Sequence, residues 1–419
     1  MGIDASAIPL SEVVDLRGDK VAGSKDPTLP YVGLEHIGQG EPVLLGWAPS
    51  DTSISVNSIF EPGDILFGKL RPNLRKSAPV SFRGYCSTDV LVLRARPSVS
   101  PAFAARVLQQ EHVFRAAVQT AEGTKMPRTS WDSLKTHVVF VPPHPEQQCI
   151  AEILDTVDVA IQQTDALIAK FRQMKAGLLH DLLIRGLDEH GQLRDPVTHP
   201  EQFKDSPLGR MPCDWELQAL AEACELIKDG THLPPPRVEN GPLLLSVQNM
   251  IDGRLQHTDA DTRVSWEFYR NMHRDWRIEV GDVLLAIVGA TIGKTAIVPE
   301  FEPFTLQRSV AVLRGRPCVL LSGFLFQFLT TRAFQVALWR QVNQTAQPGI
   351  YLDQLGQLQV PFPKSPQEQS SITSILESHD DRIRAEQTYR EKLILLKRGL
   401  MSDLLTGRVR VKVAEEATA

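Results

Sequence analysis

Two long stretches of the chain carry apolar residues at steps of three and four, with mostly polar residues between them. The seam positions of the first stretch are Ile150, Ile153, Val157, Ile161, Thr164, Ile168, Phe171, Met174, Leu178 and Leu182. Those of the second stretch are Ile372, Ile375, Ile383, Leu393, Leu396, Leu400 and Leu404. A stripe this narrow is typical of a coiled coil. The pattern therefore predicts two long helices, over residues 142–186 and 363–407.

The two predicted helices are copies of one sequence at an offset of 222 residues. The shift places Glu146-Gln147 on Glu368-Gln369, and an ungapped repeat of this length indicates an internal duplication. Because an apolar seam cannot stay exposed to water, we expect the two helices to pair with each other, antiparallel. The candidate residues for helix pairing and partner binding are Ile150, Ile153, Leu154, Leu178, Leu182, Ile372, Ile375, Leu376, Leu400 and Leu404.

Shorter apolar runs, bounded by Gly, Pro and Asp, precede the first helix and predict strands at residues 31–32, 65–67, 90–93 and 138–140. Residues 101–119 have apolar positions at helical spacing and predict one helix. A second unit repeats this region weakly. The motif Glu-x-Gly-Asp of residues 61–64 recurs at residues 279–282, and Leu-Arg-x-Arg-Pro of residues 93–97 recurs at residues 313–317.

The predicted fold class is mixed α/β (α+β), with two globular domains separated by two long helices that pair as an antiparallel coiled coil, in an internal pseudo-two-fold repeat. The globular domains are residues 1–141 and 215–362. Residues 187–214, with many prolines and polar side chains, predict a linker or an ordered long loop. Residues 408–419 predict a frayed C-terminal tail.

The net charge of −5 hides an uneven distribution. Residues 61–136 contain twelve Lys or Arg against six Asp or Glu, and residues 263–340 contain ten against six. Two basic regions on a mildly acidic chain indicate contact with nucleic acid over limited surfaces, although ordinary solvated faces remain an alternative. Five scattered cysteines, without a signal peptide or a membrane-spanning run, favour a reduced, cytoplasmic protein without a zinc site.

A loop with four cations in eight residues is the first candidate DNA contact. Such a loop suits phosphate contacts, and Arg or Asn also reads base edges; the alternative is a solvated hairpin. A second basic pair follows at residues 125–128, and Lys294 is the counterpart of Lys76 at an offset of 218. The candidate DNA-binding residues are Lys69, Arg71, Asn73, Arg75, Lys76, Lys125, Arg128, Lys294, Arg308 and Gln347.

Several sequence features suggest catalysis, phosphate binding or metal binding, but none has the residue pattern that these functions require. The segment GATIGKT at residues 289–295 has three residues, not four, between its first glycine and Gly-Lys-Thr, so it is not a phosphate-binding loop. Histidines lack metal-ligand spacing, and the Asn-Pro-Pro-aromatic signature of amino-methyltransferases is missing. The repeated helix acids Asp158, Asp380, Asp181 and Asp403 are expected to face water or a partner protein. We therefore expect no catalytic, cofactor-binding or metal-binding residues in this chain.

Seven motifs mark the helices and the domains: PEQQCIAEIL, SPQEQSSITSIL, AGLLHDLLIRG, RGLMSDLLTGR, EPGDILFGKLRPN, EVGDVLLAIVGATIGK and RMPCDWEL. With these motifs, the alternation of two α/β domains with two similar helices resembles the specificity subunit of type I restriction-modification enzymes. The resemblance implies two target recognition domains, each reading one part of an asymmetric bipartite site in double-stranded DNA. It also implies two docked DNA adenine methyltransferase subunits and restriction/translocase subunits. S-adenosylmethionine, ATP and magnesium would bind these partners and not this chain.

Two other functions stay open at the level of the sequence. A nuclease or NTPase hidden in the globular domains would need a catalytic cluster that the motifs do not reveal. A coiled-coil interaction protein would need no DNA contact at all. The steep salt dependence of phosphate contacts distinguishes both from a DNA-recognition scaffold.

Overall fold

The structure is a computed structural model in which the chain divides into two compact units. It describes residues 6–22, 26–52, 55–232, 234–343 and 348–412. Unit 1 is Met1–Ala166 with Gln387–Ala419, and unit 2 is Leu167–Glu386. Each unit therefore combines one globular domain with the start of one long helix and the end of the other.

Unit 1 is built from two mixed or antiparallel sheets and one two-stranded pair. Its strands are β1 (Ser6–Pro9), β2 (Val14–Leu16), β3 (Lys20–Val21), β4 (Pro30–Val32), β5 (Ala48–Pro49), β6 (Asn57–Phe60), β7 (Asp64–Gly68), β8 (Ser77–Pro79), β9 (Gly84–Ser87), β10 (Val90–Ala95) and β11 (Val138–Val141). Its helices are α1 (Pro101–Val107), α2 (Glu111–Gln119), α3 (Trp131–Leu134) and the start of α4 (His144–Arg185). The sheet orders are β2-β10-β7-β8, β3-β6-β9-β4-β5 and β1-β11.

Unit 2 repeats this plan with additional strands. Its strands are β12 (Phe203–Ser206), β13 (Gly209–Pro212), β14 (Trp215–Ala219), β15 (Cys224–Asp229), β16 (Arg237–Leu245), β17 (Met250–Ile251), β18 (Arg254–Leu255), β19 (Arg263–Val264), β20 (Val283–Ala286), β21 (Thr295–Ile297), β22 (Phe304–Leu306), β23 (Val310–Gly315) and β24 (Gln359–Pro363). Its helices are α5 (Leu220–Ala223), α6 (Trp266–Met272), α7 (Ser322–Leu329), α8 (Arg332–Gln341), α9 (Leu352–Gly356) and the start of α10 (Pro366–Leu404). The sheet orders are β15-β23-β20-β21-β18-β17, β19-β16-β22, β14-β24 and β12-β13.

The shared sheet order explains the weak repeat of the globular domains. The order β2-β10-β7-β8 of unit 1 matches β15-β23-β20-β21 of unit 2. In both units the aspartate of Glu-x-Gly-Asp is buried and pairs with the arginine of the neighbouring strand, Asp64 with Arg94 and Asp282 with Arg314, each at 2.7 Å from Nε. A buried carboxylate needs such a partner, so the repeated motif holds the sheet together.

The long helices begin and end close to the predicted positions. Helix α4 spans His144–Arg185 and α10 spans Pro366–Leu404. Each is followed by a glycine in the left-handed region, Gly186 at φ +64° and Gly407 at φ +71°. This conformation is the usual helix stop, and it favours glycine because a side chain would be strained there. No helix in the described part of the chain has an apolar stretch long enough to cross a membrane.

The two helices pair antiparallel inside each unit. In unit 1, Asp165 pairs with Arg390 and Asp158 with Lys397, so the numbers run in opposite directions along the two helices. Unit 2 shows the same order, with Phe171 packed against Ile383 in one cluster and Lys175 paired with Asp380. The predicted antiparallel coiled coil is confirmed.

The seam differs from the prediction at one repeated position. Met174 and its copy Leu396 are exposed, whereas we expected both in the seam. The following residues, Lys175 and Lys397, point inward instead and form ion pairs with the other helix. The expectation that Asp158 and Asp380 face water or a partner protein is wrong, because they are the acceptors of these ion pairs.

The helix prediction for residues 101–119 needs correction. The single helix predicted over residues 101–119 is two helices, α1 and α2, because Gln110 takes an extended conformation at φ −64° and ψ 142° and interrupts the helical backbone. Periodicity did not reveal this break, since apolar spacing continues on both sides.

The region between the first helix and the second domain is ordered, with a hairpin of β12 and β13. The tail is also held as far as Val411, whose N–H donates to Glu146 at 2.9 Å.

Candidate nucleic-acid interface

The basic loop of unit 1 connects β7 to β8 and contains a short 3-10 turn at Pro72–Leu74. Arg71 and Arg75 flank this turn, and both have left-handed backbone conformations, at φ 49° and 53°. Arg71, Asn73 and Arg75 are exposed, whereas Lys69 and Lys76 are half-buried. The loop therefore presents two arginines and an amide to solvent within five residues.

The second basic segment lies against this loop. The N–H of Arg71 donates to the carbonyl of Pro127 at 2.8 Å, and the N–H of Thr129 donates to the carbonyl of Lys69 at 3.0 Å. Lys125 is exposed at the tip of the second segment. The structure thus brings together, as a single basic surface, two clusters that are 49 residues apart in sequence at their nearest ends, Lys76 and Lys125.

Two of the candidate cations are already engaged within unit 1. The Lys76 ammonium donates to the Leu34 carbonyl at 2.6 Å, which ties the loop to a neighbouring 3-10 turn. Arg128 binds both carboxylate oxygens of Asp89, at 2.7 and 3.1 Å. The hydrogen bond to Asp89 raises the pKa of Arg128, so this side chain stays charged but is oriented by its partner. Both contacts hold the basic loop and its neighbouring segment in place within unit 1.

The corresponding loop of unit 2 connects β20 to β21 and has the same backbone contacts. The N–H of Gly289 donates to the Pro348 carbonyl at 2.8 Å, as Arg71 does to Pro127. Lys294 Nζ lies 3.4 Å from the Val247 carbonyl, as Lys76 does near Leu34. The interpretation of Lys76 and Lys294 as equivalent loop cations is confirmed.

The remaining candidates of unit 2 are less concentrated. Arg308 is exposed just after β22, and its N–H donates to Thr231 at 3.1 Å. Gln347 lies outside the described residues. Unit 2 therefore presents fewer of the predicted cations on its loop than unit 1 does.

The segment GATIGKT owes its glycines to this loop geometry. Gly289 and Gly293 have φ +90° and +92°, at the positions where unit 1 has Arg71 and Arg75. A Cβ at Gly289 would meet no atom within 4 Å, so this glycine reflects the backbone conformation and not crowding. A Cβ at Gly293 would also meet the amide of Gln335, so this glycine reflects both conformation and crowding. The spacing of the two glycines could have revealed this turn in the sequence.

The candidate residues for helix pairing lie in the cores of the two units. In unit 1, Ile150, Leu154 and Leu404 are buried among the residues of α1, α2 and β10, and Ile153 and Leu400 pack against them. The matching set in unit 2 is Leu182, Ile372 and Leu376, with Leu178 and Ile375 partly buried. These residues hold each helix end in a globular domain, which is a role that the seam pattern alone did not predict.

One glutamate in each unit, at the start of its long helix, joins distant segments of that unit, and neither was among the predicted site residues. Glu146 binds Arg410 at 2.7 Å and the Val411 N–H, and Glu368 binds Arg194 at 2.7 Å and the Leu187 N–H at 2.9 Å. The Arg410 hydrogen bonds hold the pKa of Glu146 below its ordinary value. The repeated Glu-Gln at the start of each helix was the signal for this arrangement.

Two buried thiols and one pair of histidines among the described residues have shifted pKa values. Burial raises the pKa of the Cys86 and Cys224 thiols to about 12, so both are neutral at physiological pH and are poor nucleophiles. His112 and His137 share a 2.8 Å contact, and desolvation lowers the pKa of each, which favours the neutral form of both rings. Within the described ranges no group of three or more His, Cys, Asp or Glu could hold a metal ion.

Comparison with known proteins connects this arrangement to one family. Residues 267–394 match the family model described as the type I restriction modification DNA specificity domain. The type I restriction enzyme MjaVIII specificity subunit of Methanocaldococcus jannaschii is 28% identical over 296 residues, which cover 70% of this chain and 66% of that protein. The EcoBI specificity subunit of Escherichia coli is 25% identical over 264 residues, 61% of this chain and 52% of that protein. The matched regions span less than two thirds of these relatives' own length.

Solved structures extend the likeness to the whole fold. A crystal structure of a type I restriction-modification S subunit from M. genitalium has a TM-score of 0.58 at 16% identity, covering 96% of each chain. A structure described as the basis of complex assembly and conformational transition of the type I R-M system has a TM-score of 0.55 at 18% identity, covering 97% of this chain and 98% of that one. The resemblance of this chain to the specificity subunits of type I restriction-modification enzymes is therefore confirmed, in sequence and in fold.

Proposed function

We propose that this chain is the DNA-recognition subunit of a type I restriction-modification enzyme. Residues 1–141 and 215–362 act as its two target recognition domains. Each reads one half of an asymmetric, bipartite site in double-stranded DNA. The helices of residues 142–186 and 363–407 carry the domains and dock the other subunits. Because the two domains differ in sequence, the two half-sites differ as well.

One observation carries this proposal. Both units have the same loop between equivalent strands, hydrogen-bonded to a neighbouring segment. The side chains at the exposed positions of this loop differ in chemistry between unit 1 and unit 2. In unit 1 these exposed positions are Arg71, Asn73 and Arg75; in unit 2 they are Ala290 and Thr291. A constant backbone with variable exposed side chains is what two readers of different DNA sequences need, since base edges are distinguished by side-chain donors and acceptors.

The proposed partners supply the chemistry. Two DNA adenine methyltransferase subunits would bring S-adenosylmethionine, and restriction/translocase subunits would bring ATP and magnesium. The chain itself would be a non-catalytic scaffold that acts in the cytoplasm, where the host DNA lies. The neutral thiols of Cys86 and Cys224 agree with a binding role and not with nucleophilic catalysis.

Methylation mapping tests the proposal directly. The chain is expressed with its methyltransferase subunit in a host without other adenine methylation, and methylated adenines are mapped across the genome. We expect one motif with two defined halves and an undefined spacer of fixed length. Methylation that requires the methyltransferase alone, or a motif without two halves, would contradict the assignment. Metal-dependent DNA cleavage by the purified chain would instead favour a nuclease.

Salt titration separates DNA recognition from a purely protein-binding coiled coil. The chain in complex with its methyltransferase is titrated onto a fluorescent duplex that carries the mapped motif, between about 50 and 200 mM salt. Neutralisation of several phosphates predicts a loss of roughly a hundredfold or more in affinity over this range. Affinity that stays flat would show that phosphate contacts do not contribute.

A further inference from the structure

The loop of unit 1 places two arginines where the backbone favours glycine. Arg71 and Arg75 lie at φ 49° and 53°, and among the described residues only Asp252 and Cys318 share a positive φ without being glycine. Asp252 stands before Gly253 in a tight turn, where Asp is ordinary. A long side chain in the left-handed region strains the backbone, and such strain persists where the surrounding structure enforces it.

Unit 2 shows that the turn does not need these arginines. Gly289 and Gly293 occupy the same two positions, with the same hydrogen bond to the neighbouring segment. Glycine adopts this conformation without strain, so the loop of unit 2 is the relaxed version of the same turn. The two arginines of unit 1 thus occupy positions that the backbone conformation disfavours for them. This strain points to a function of their side chains that glycine cannot perform.

The side chains contribute little to the fold of unit 1. Arg71 is exposed and forms no ion pair within the described ranges. Arg75 is also exposed, and its guanidinium lies 5.9 Å from the Phe114 ring centroid, a contact that orients it without neutralising its charge. By contrast, Lys76 and Arg128 are bound to Leu34 and Asp89. The guanidinium donors of the two strained residues are therefore free within the described part of the chain.

We propose that Arg71 and Arg75 are the specificity-determining residues of unit 1, and that they donate to base edges, with guanine as the base that each selects. This inference rests on the proposed function. Arginine binds guanine O6 and N7 with both ends of its planar fork, which is the commonest specific contact in the major groove. A phosphate contact would not require the left-handed positions, because a flexible cation elsewhere on the loop reaches a phosphate as well.

Replacement by the residue of unit 2 tests the inference with little risk to folding. Arg71→Gly and Arg75→Gly, singly and together, are expressed with the methyltransferase, and methylated adenines are mapped. We expect the motif to become degenerate at one or two guanines in one half, with the other half unchanged. The midpoint of denaturant unfolding should stay the same or rise, since glycine relieves the strain.

Arg115→Ala is the matched control, because Arg115 is an exposed arginine of unit 1 with ordinary helical conformation. It should leave the motif intact. Arg71→Lys keeps the charge and loses the fork, so we expect relaxed selection at the same position with methylation retained.

An unchanged motif in the glycine variants would overturn the inference. So would uniform loss of methylation with normal unfolding, which would assign the arginines to phosphate anchoring. If the wild-type protein gave no bipartite motif, the proposed function itself would fail first.

Discussion

At the scale of single residues, the duplicated ion pairs of the helices are the clearest example of what sequence could and could not reveal. Asp158 and Asp380 are copies, and so are Lys175 and Lys397, and these identities are visible at an offset of 222. Their partners are not visible, because the antiparallel pairing places Lys175 opposite Asp380 and Lys397 opposite Asp158. The pattern of apolar residues along one helix does not show which residues of the other helix lie opposite. The sequence therefore suggested that Asp158 and Asp380 face solvent.

Lys175→Met should destabilise unit 2 by about 1–3 kcal/mol, because it leaves the carboxylate of Asp380 without its main partner in a partly buried position. The side chains of this pair are only 18% and 20% exposed. Adding Asp380→Asn should recover part of the loss, as measured by denaturant unfolding in a double-mutant cycle. Arg115→Ala breaks a pair that is 65% and 70% exposed, and it should cost no more than about 0.5 kcal/mol. Equal losses of unfolding free energy in Lys175→Met and Arg115→Ala would contradict the importance of burial.

Glu146 should make the stability of unit 1 sensitive to acid. Hydrogen bonds from Arg410 hold its folded-state pKa below the unfolded value, so the carboxylate stabilises the fold above about pH 4.3, the ordinary glutamate pKa. That contribution is lost as pH falls through the lowered pKa. We expect the free energy of unfolding to fall more steeply below about pH 5 in the wild type than in Glu146→Gln. Glu111→Gln, at an exposed position, should follow the wild-type curve.

At the scale of elements, the sequence predicted what depends on local periodicity. Both long helices and the strands at β7, β10 and β11 follow from apolar spacing and flanking Gly, Pro and Asp. The break between α1 and α2 at Gln110 depends on backbone conformation that periodicity does not record. The loop between β7 and β8 was predicted as basic, but its left-handed positions became apparent only in the structure.

Leu404 and Leu396 lie on the same helix and should respond very differently to truncation. Leu404 is 5% exposed in the core of unit 1, so Leu404→Ala should cost about 2–5 kcal/mol. Leu396 is 51% exposed, and Leu396→Ala should cost less than about 0.5 kcal/mol. Hydrogen exchange of the amides in β7 and β10 reports the stability of unit 1 for both variants. A large effect at Leu396 would argue for the seam that the sequence predicted.

At the scale of the whole molecule, the compact units do not follow the order of the chain. Unit 1 takes its last helical segment from Gln387–Ala419, and unit 2 is one continuous stretch, Leu167–Glu386. The sequence supported a linear series of domain, helix, domain and helix, and these boundaries stay a prediction for function. It could not show which helix end packs in which core, because the two copies have nearly the same apolar residues.

Truncation after Glu386 should therefore destabilise unit 1, although most of unit 1 lies at the other end of the sequence. Unit 1 would lose Leu404 and Leu405 from its core and Arg410 from Glu146, whereas unit 2 would lose no residue. We expect limited proteolysis with mass spectrometry to show rapid cleavage within residues 26–141 and persistence of a fragment near residues 167–386. Full-length protein is the control. Preferential cleavage in unit 2 would contradict this division.

The discontinuity of unit 1 also sets an order of events during translation. The N-terminal domain leaves the ribosome first, but it waits for 220 further residues, Leu167–Glu386, before its closing helix is made. At roughly 5–20 residues per second this delay is about 10–45 s. All residues of unit 2 are synthesised before the last segment of unit 1, so the core of unit 2 can form first. For that interval the core of unit 1 around Ile150 and Leu154 lacks Leu404 and Leu405, so we expect nascent unit 1 to expose apolar surface that chaperones bind.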